Sequence, residues 1–144
     1  MAFLGGGFAL LQWRKNNALQ RAKFLYELYE KYQEDRDIAD AFYLIIYNKD
    51  WNKKEYRNSE NEFIIDKLIV WLTHICYLIE TGSISQKEIS IVNYTLYCVC
   101  KSKQIQLYLK RFHYRSKKMG IECTYNYLIK FGIKNQLLCE KDFK

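Results

Sequence analysis

The chain has no proline, only six glycines and only two histidines in 144 residues. Proline breaks helix interiors, glycine weakens them, and both punctuate the turns of all-β chains. Three of the glycines fall together at Gly5, Gly6 and Gly7. Their scarcity beyond that point argues against a β-sandwich or barrel and leaves room for long helices. His74 and His113 are too few for a multi-histidine metal centre. Gly5 to Gly7 lacks a following lysine and a preceding strand, so no phosphate loop is present. Acidic residues are scarce at one end: residues 101–144 carry eleven basic against three acidic groups, whereas 34–100 carry seven against eleven. The net charge of +7 is therefore concentrated toward the C-terminal third, where an acidic partner would be drawn.

What is present in quantity is aromatic, with thirteen tyrosines among twenty-four aromatic residues. Five cysteines, Cys76, Cys98, Cys100, Cys123 and Cys139, form an odd set without a secretory pattern ahead of them and are read as reduced cytosolic thiols. No disulfide, metal or cofactor is expected. The length suits one domain, able to bury roughly two thirds of its unfolded surface.

Residues 1–13 are uncharged and mostly apolar, and Trp13 precedes Arg14 and Lys15. An aromatic residue followed by paired cations matches a membrane-interface belt with a positive cytosolic flank. A spanning helix needs about 20 apolar residues, more than this segment supplies. It is read either as a partial anchor flanked by Trp13, Arg14 and Lys15 or as the start of a packed helix.

From Asn17, the residues Ala18, Ala22, Leu25, Tyr29 and Tyr32 recur at helical spacing and predict a first long helix to about Gln33. Asp35 and Asp37 suit the start of a second helix with a stripe of Ile38, Ala41, Phe42 and Ile45, fading near Tyr47. Residues 48–58 lack periodicity and read as the longest connection. Ser59-Glu60-Asn61-Glu62 has capping-box spacing and opens a third helix to about Thr81. That helix is apolar on most sides, broken by a stripe through Asp66, Lys67, Thr73, His74, Glu80 and Thr81, so it is placed at the centre. Asp66, Lys67 and His74 make it a costly membrane span.

Gly82 is positioned for a left-handed cap, and Ser85 to Glu88 repeats the capping box, giving a helical hairpin. Ile89, Val92, Leu96 and Val99 mark a fourth helix. Ile105, Tyr108, Leu109 and Phe112 mark a fifth, and Tyr125, Leu128 and Ile129 a sixth ending before Gly132. The expectation is an all-α antiparallel bundle of five or six helices with a central apolar helix at 59–81. Its helical domain spans 14–131, and the tail, 132–144, frays or docks loosely.

The runs Leu11-Gln12-Trp13-Arg14-Lys15-Asn16-Asn17, Tyr26-Glu27-Leu28-Tyr29, Asp40-Ala41-Phe42-Tyr43-Leu44-Ile45, Ser59-Glu60, Ile65-Asp66-Lys67-Leu68 and Ile75-Cys76-Tyr77-Leu78 together look like a group of uncharacterised small bacterial proteins. Those proteins have one N-terminal membrane helix followed by a cytosolic helical domain. The resemblance covers about Leu11 to Ile129 and implies a cytoplasmic location at the inner membrane face, but carries over no catalytic residue. The chain departs from the pattern in lacking a full anchor.

Local spacing offers little catalytic chemistry. Cys98 and Cys100, His74 and Cys76, and Arg111 and His113 are each two residues apart, which on a helix separates the side chains by about 200°. A shared metal ion, or the arginine–histidine pair of a helical ribonuclease, would need both on one face; a nuclease is the remote third reading. The pairs Asp37/Asp40 and Glu60/Glu62 lie where helix starts favour carboxylates. The fifth helix is the most distinctive. Lys103, Gln106, Lys110, His113 and Lys117 share a polar, basic stripe with Arg111, Tyr114, Arg115 and Lys118 beside it, a surface suited to anionic lipid or nucleic acid or otherwise simply solvated. Exposed Tyr43, Tyr47, Trp51 and Tyr56 would suit a protein interface, with an unknown protein or a second copy as partner. The leading expectation is a non-enzymatic helical interaction module tethered at the inner membrane face; the alternative is a nucleic-acid-binding protein using 103–118.

Overall fold

The computed structural model describes residues 3–47, 51 and 57–144, with the side chains of 3–11 and 14 left out. Six α-helices and no strand occur among the described residues: α1 (Phe3–Glu34), α2 (Arg36–Tyr47), α3 (Glu60–Glu80), α4 (Ser90–Lys101), α5 (Lys103–Lys118) and α6 (Asn126–Lys134), with 3-10 turns at Gln86–Ile89 and Glu140–Phe143. The chain is an all-α helical bundle. It divides into two compact units, Met1–Asp35 and Arg36–Lys144.

The first unit is a single helix. Of its expected stripe, Ala18 and Ala22 are exposed, Leu25, Tyr29 and Tyr32 are half-buried, and Leu28 is buried instead. Among the described residues no helix is long and apolar enough to cross a membrane.

In the second unit α3 packs against α2 and α6, and α4 packs against α2 and α5. Ile65, Leu68, Ile69, Leu72 and Ile75 are wholly buried along α3, which is the centre of the core; each fully buried aliphatic side chain contributes about 1.5–3 kcal/mol. The start of α3 is capped as its sequence dictates. Ser59 is extended (φ −83°, ψ 163°) and its Oγ accepts from Glu62 N at 3.3 Å. The Glu62 carboxylate returns one residue further back than expected, accepting from Asn58 N at 2.6 Å. At the other end Gly82 is left-handed (φ 71°), as only glycine does readily. Ser85 and Glu88 form the second capping box, opening the 3-10 turn that leads into α4.

Three expectations are corrected. The polar stripe of α3 faces solvent only in part: His74, Glu80 and Thr81 are exposed, but so are the apolar Phe63, Val70 and Tyr77. Thr73 is buried and Asp66 and Lys67 are half-buried, and each has a partner: tyrosine hydroxyls for Asp66, Asp37 for Lys67 at 2.7 Å, and the Ile69 carbonyl for Thr73 at 2.8 Å. Gly132 does not end the sixth helix, which continues to Lys134. The missing side chain instead admits Leu138, whose Cδ1 would lie 2.5 Å from an added Cβ. Consequently 132–144 is no loose tail: Leu138 is buried and Glu140–Phe143 packs on α5. The connection expected at 48–58 lies largely outside the described residues.

Candidate functional site

Four side chains of α5 spaced by three and four, Tyr108, Arg111, Phe112 and Arg115, form one wall of a cleft of about 590 Å³. Glu62, Phe63 and Asp66 of α3, Arg57 to Ser59 before it, and Tyr125 before α6 complete the lining. Three guanidinium groups thus meet two carboxylates beside the N-terminal end of a 21-residue helix.

Both carboxylates are committed. Glu62 Oε1 accepts from Arg111 Nη2 at 2.8 Å while its Oε2 holds the Asn58 amide. Asp66 Oδ1 accepts from the Tyr108 hydroxyl at 3.1 Å and from the Tyr125 hydroxyl. Burial, followed by the Asp66 carboxylate, pushes both phenols above their ordinary range, so they remain protonated donors at neutral pH. Arg111 lies 5.0 Å from the Tyr108 ring centroid and 5.4 Å from that of Phe112, and its Nε is buried with no hydrogen-bond partner among the described residues. Stacking on the two rings and the single charge-assisted bond to Glu62 hold the guanidinium in place. Arg57 and Arg115 are exposed and form no ion pair among the described residues.

The residues expected to make one basic surface do not stay together. Arg111 enters the cleft. Lys110 pairs with Asp142 at 2.7 Å, Lys117 Nζ donates to the Lys144 carbonyl at 3.0 Å, and His113 meets the Phe143 ring edge-on at 5.7 Å. Lys103, Tyr114 and Lys118 remain exposed. Trp13 and Lys15 are exposed on α1, and the Arg14 side chain lies outside the described residues. Of the aromatic set, Tyr43 and Tyr47 are exposed and stacked with centroids 6.0 Å apart. Trp51 is buried against Tyr108 at 5.8 Å and is therefore not available to a partner; Tyr56 lies outside the described residues.

Sequence reasoning missed Arg57, Glu62, Asp66, Tyr108 and Tyr125 as members of one site. The available signal was the i, i+4 repeat of Arg111 and Arg115 beside an aromatic pair; the partners on α3 are 42 and 49 residues away in sequence. The five cysteines are free. Burial pushes the Cys100 thiol up to about 12 and raises that of Cys76, which also has Cys100 beside it. No group of three His, Cys, Asp or Glu able to hold a metal ion occurs among the described residues. No protein-family model, curated protein or solved structure matches the chain.

Proposed function

We propose that the chain is a non-enzymatic interaction module that holds a compact oxyanion of its partner, a phosphate or carboxylate, in the α3–α5 cleft. The observation that carries this reading is the pair Arg57 and Arg115, free of ion pairs among the described residues and lining the same cleft as Arg111. Guanidinium forks match carboxylate and phosphate geometry, and a helix N-terminus adds favourable potential for an anion. The other polar groups serve the cleft's architecture. Glu62 and Asp66 are occupied by neighbours, and the two phenols keep their protons. A long polyanion such as nucleic acid, or a bilayer surface, would call on the stripe of Lys103, Lys110 and Lys117, and two of these three already hold the C-terminal segment.

Calorimetric titration with pyrophosphate at about 0.1 M salt tests the reading, a condition in which charges beyond roughly 10 Å are screened. Saturable 1:1 binding is expected, weakened at least ten-fold by Arg57→Ser with Arg115→Ser and left unchanged by Lys103→Ser. Absence of binding, or equal loss in the Lys103 variant, overturns it.

A further inference from the structure

The α3–α5 cleft contains one aromatic ring that its own cluster leaves unused. Tyr108 and Phe112 have centroids 4.7 Å apart, and Phe112 meets Tyr125 edge-on at 5.3 Å, so these three rings pack on one another. Phe63 lines the same cleft, is 68% exposed, and has no aromatic ring or cation against it among the described residues. The basic groups gather beside it. Glu62, its neighbour in sequence, accepts from Arg111 with one carboxylate oxygen and from the amide of Asn58, the residue after Arg57, with the other. Arg115 stands one turn beyond Arg111 on α5. An anion held by Arg57 and Arg115 therefore shares the cleft with the Phe63 ring.

We infer that the oxyanion taken by this cleft is the phosphate of an aryl ester, a phosphorylated tyrosine side chain of the partner, with its ring laid against Phe63; the inference rests on the oxyanion reading above and names its ligand. Phosphate is favoured over carboxylate by the number of free donors. Arg57 and Arg115 form no ion pair among the described residues. A phosphate monoester offers two such guanidinium forks three acceptor oxygens and a charge of about −1.5 to −2, where a carboxylate offers two oxygens and a single charge. The ring is favoured by space and by surface. At about 590 Å³ the cleft has room for many groups the size of a water, about 30 Å³ each, far more than the five heavy atoms of a phosphate fill. Glu62, Asp66, Tyr108 and Tyr125 are bonded among the cleft's own residues. The Phe63 phenyl is thus the large uncommitted surface left for whatever body carries the phosphate.

Calorimetric titration of the full chain at about 0.1 M salt compares N-acetyl-phosphotyrosine amide, N-acetyl-phosphoserine amide, adenosine monophosphate and pyrophosphate. The phosphotyrosine compound is expected to bind on the order of ten-fold tighter than the phosphoserine one, the scale of one aromatic stacking contact. It should also bind tighter than adenosine monophosphate, whose ring is set off from the phosphate by a ribose. Phe63→Ala should abolish the preference for the tyrosyl ring and leave pyrophosphate affinity unchanged, whereas Arg57→Ser with Arg115→Ser should weaken every ligand. Equal affinity of the unaltered chain for the two amino-acid phosphates, or tighter binding of adenosine monophosphate, overturns the inference, and saturable pyrophosphate binding in the same experiment keeps the oxyanion reading. A ring preference that survives in folded Phe63→Ala overturns it as well; should that variant lose helical signal, the comparison of ligands on the unaltered chain decides. Absence of pyrophosphate binding overturns both readings.

Discussion

Gly132→Ala sets two local rules against each other. In a helix interior, alanine is favoured over glycine by about 1 kcal/mol, so helix propensity alone predicts stabilisation. In the folded chain, however, the new Cβ would lie 2.5 Å from Leu138 Cδ1 and 2.6 Å from its Cγ. Leu138 cannot retreat as a unit, because its own N–H and that of Leu137 both bond to the Gly132 carbonyl, at 3.1 and 2.7 Å. Relief requires rotating the leucine out of a site where it is 7% exposed, which forfeits about 1.5–3 kcal/mol of burial. The net expectation is destabilisation by about 0.5–2 kcal/mol once the propensity gain is deducted. Urea unfolding of the full chain measures it, with m of about 1–3 kcal/mol/M converting the loss into a lower midpoint. In a Leu138→Ala background the obstacle is gone, and the same glycine substitution should stabilise by about 0.5–1 kcal/mol. A midpoint that rises on Gly132→Ala alone would refute the reasoning and return this glycine to the role of ordinary helix breaker.

Ser59→Ala removes the acceptor for Glu62 N and should cost about 0.5–2 kcal/mol, seen as a lower urea midpoint; an unchanged midpoint would show the cap to be idle. Ile75→Asp would bury a charge at a position with no exposure, and a soluble variant that still unfolds cooperatively would contradict the central placement of α3. Stability should also decline in alkali. The thiols of Cys76 and Cys100 and the phenols of Tyr108 and Tyr125 have raised folded-state values, so the folded chain holds their protons more tightly than the unfolded chain. That contribution is complete below about pH 9 and fades as pH climbs through and beyond the unfolded thiol and phenol values of about 9 and 10. A urea midpoint that stays constant from pH 7.5 to 11 would count against it.

The elements that could be read directly were those whose cause is local. Ser59 and Gly82 act on backbone groups within four residues of themselves, and the aliphatic stripes of α3 and α4 are set by one helix's own period. Gly132 looked like a stop because sequence cannot distinguish a glycine required by φ from one required by a neighbour's approach. Glu62 was legible as a capping residue but not as the partner of Arg111, a role that depends on α3 meeting α5 across 49 residues. Asp66 is a similar case. Its position on α3 was known, yet only the arrival of Tyr108 and Tyr125 explains why a carboxylate sits there. Lys110 and Lys117 recur at helical spacing, while the segment that meets them was assigned to a tail because residues 132–144 contain no long periodic run.

Ser102 ends α4 and caps α5 with no intervening residue: its N–H bonds back to the Cys98 and Val99 carbonyls, and its Oγ accepts from Ile105 N at 3.5 Å. The corner therefore acts as a phase marker for everything that follows on α5. Each residue advances a helix by about 100°, and Lys110 and Arg111, neighbours in sequence, face two different surfaces. Removing one residue between Ser102 and Leu109 would carry Arg111 into the angular position of Lys110, setting a guanidinium opposite Asp142 and leaving Glu62 without its partner. A one-residue insertion would bring the Lys110 ammonium toward Glu62 instead. The two faces of α5 are thus coupled through a single count of residues, and a length change here would exchange them together where a substitution alters only one.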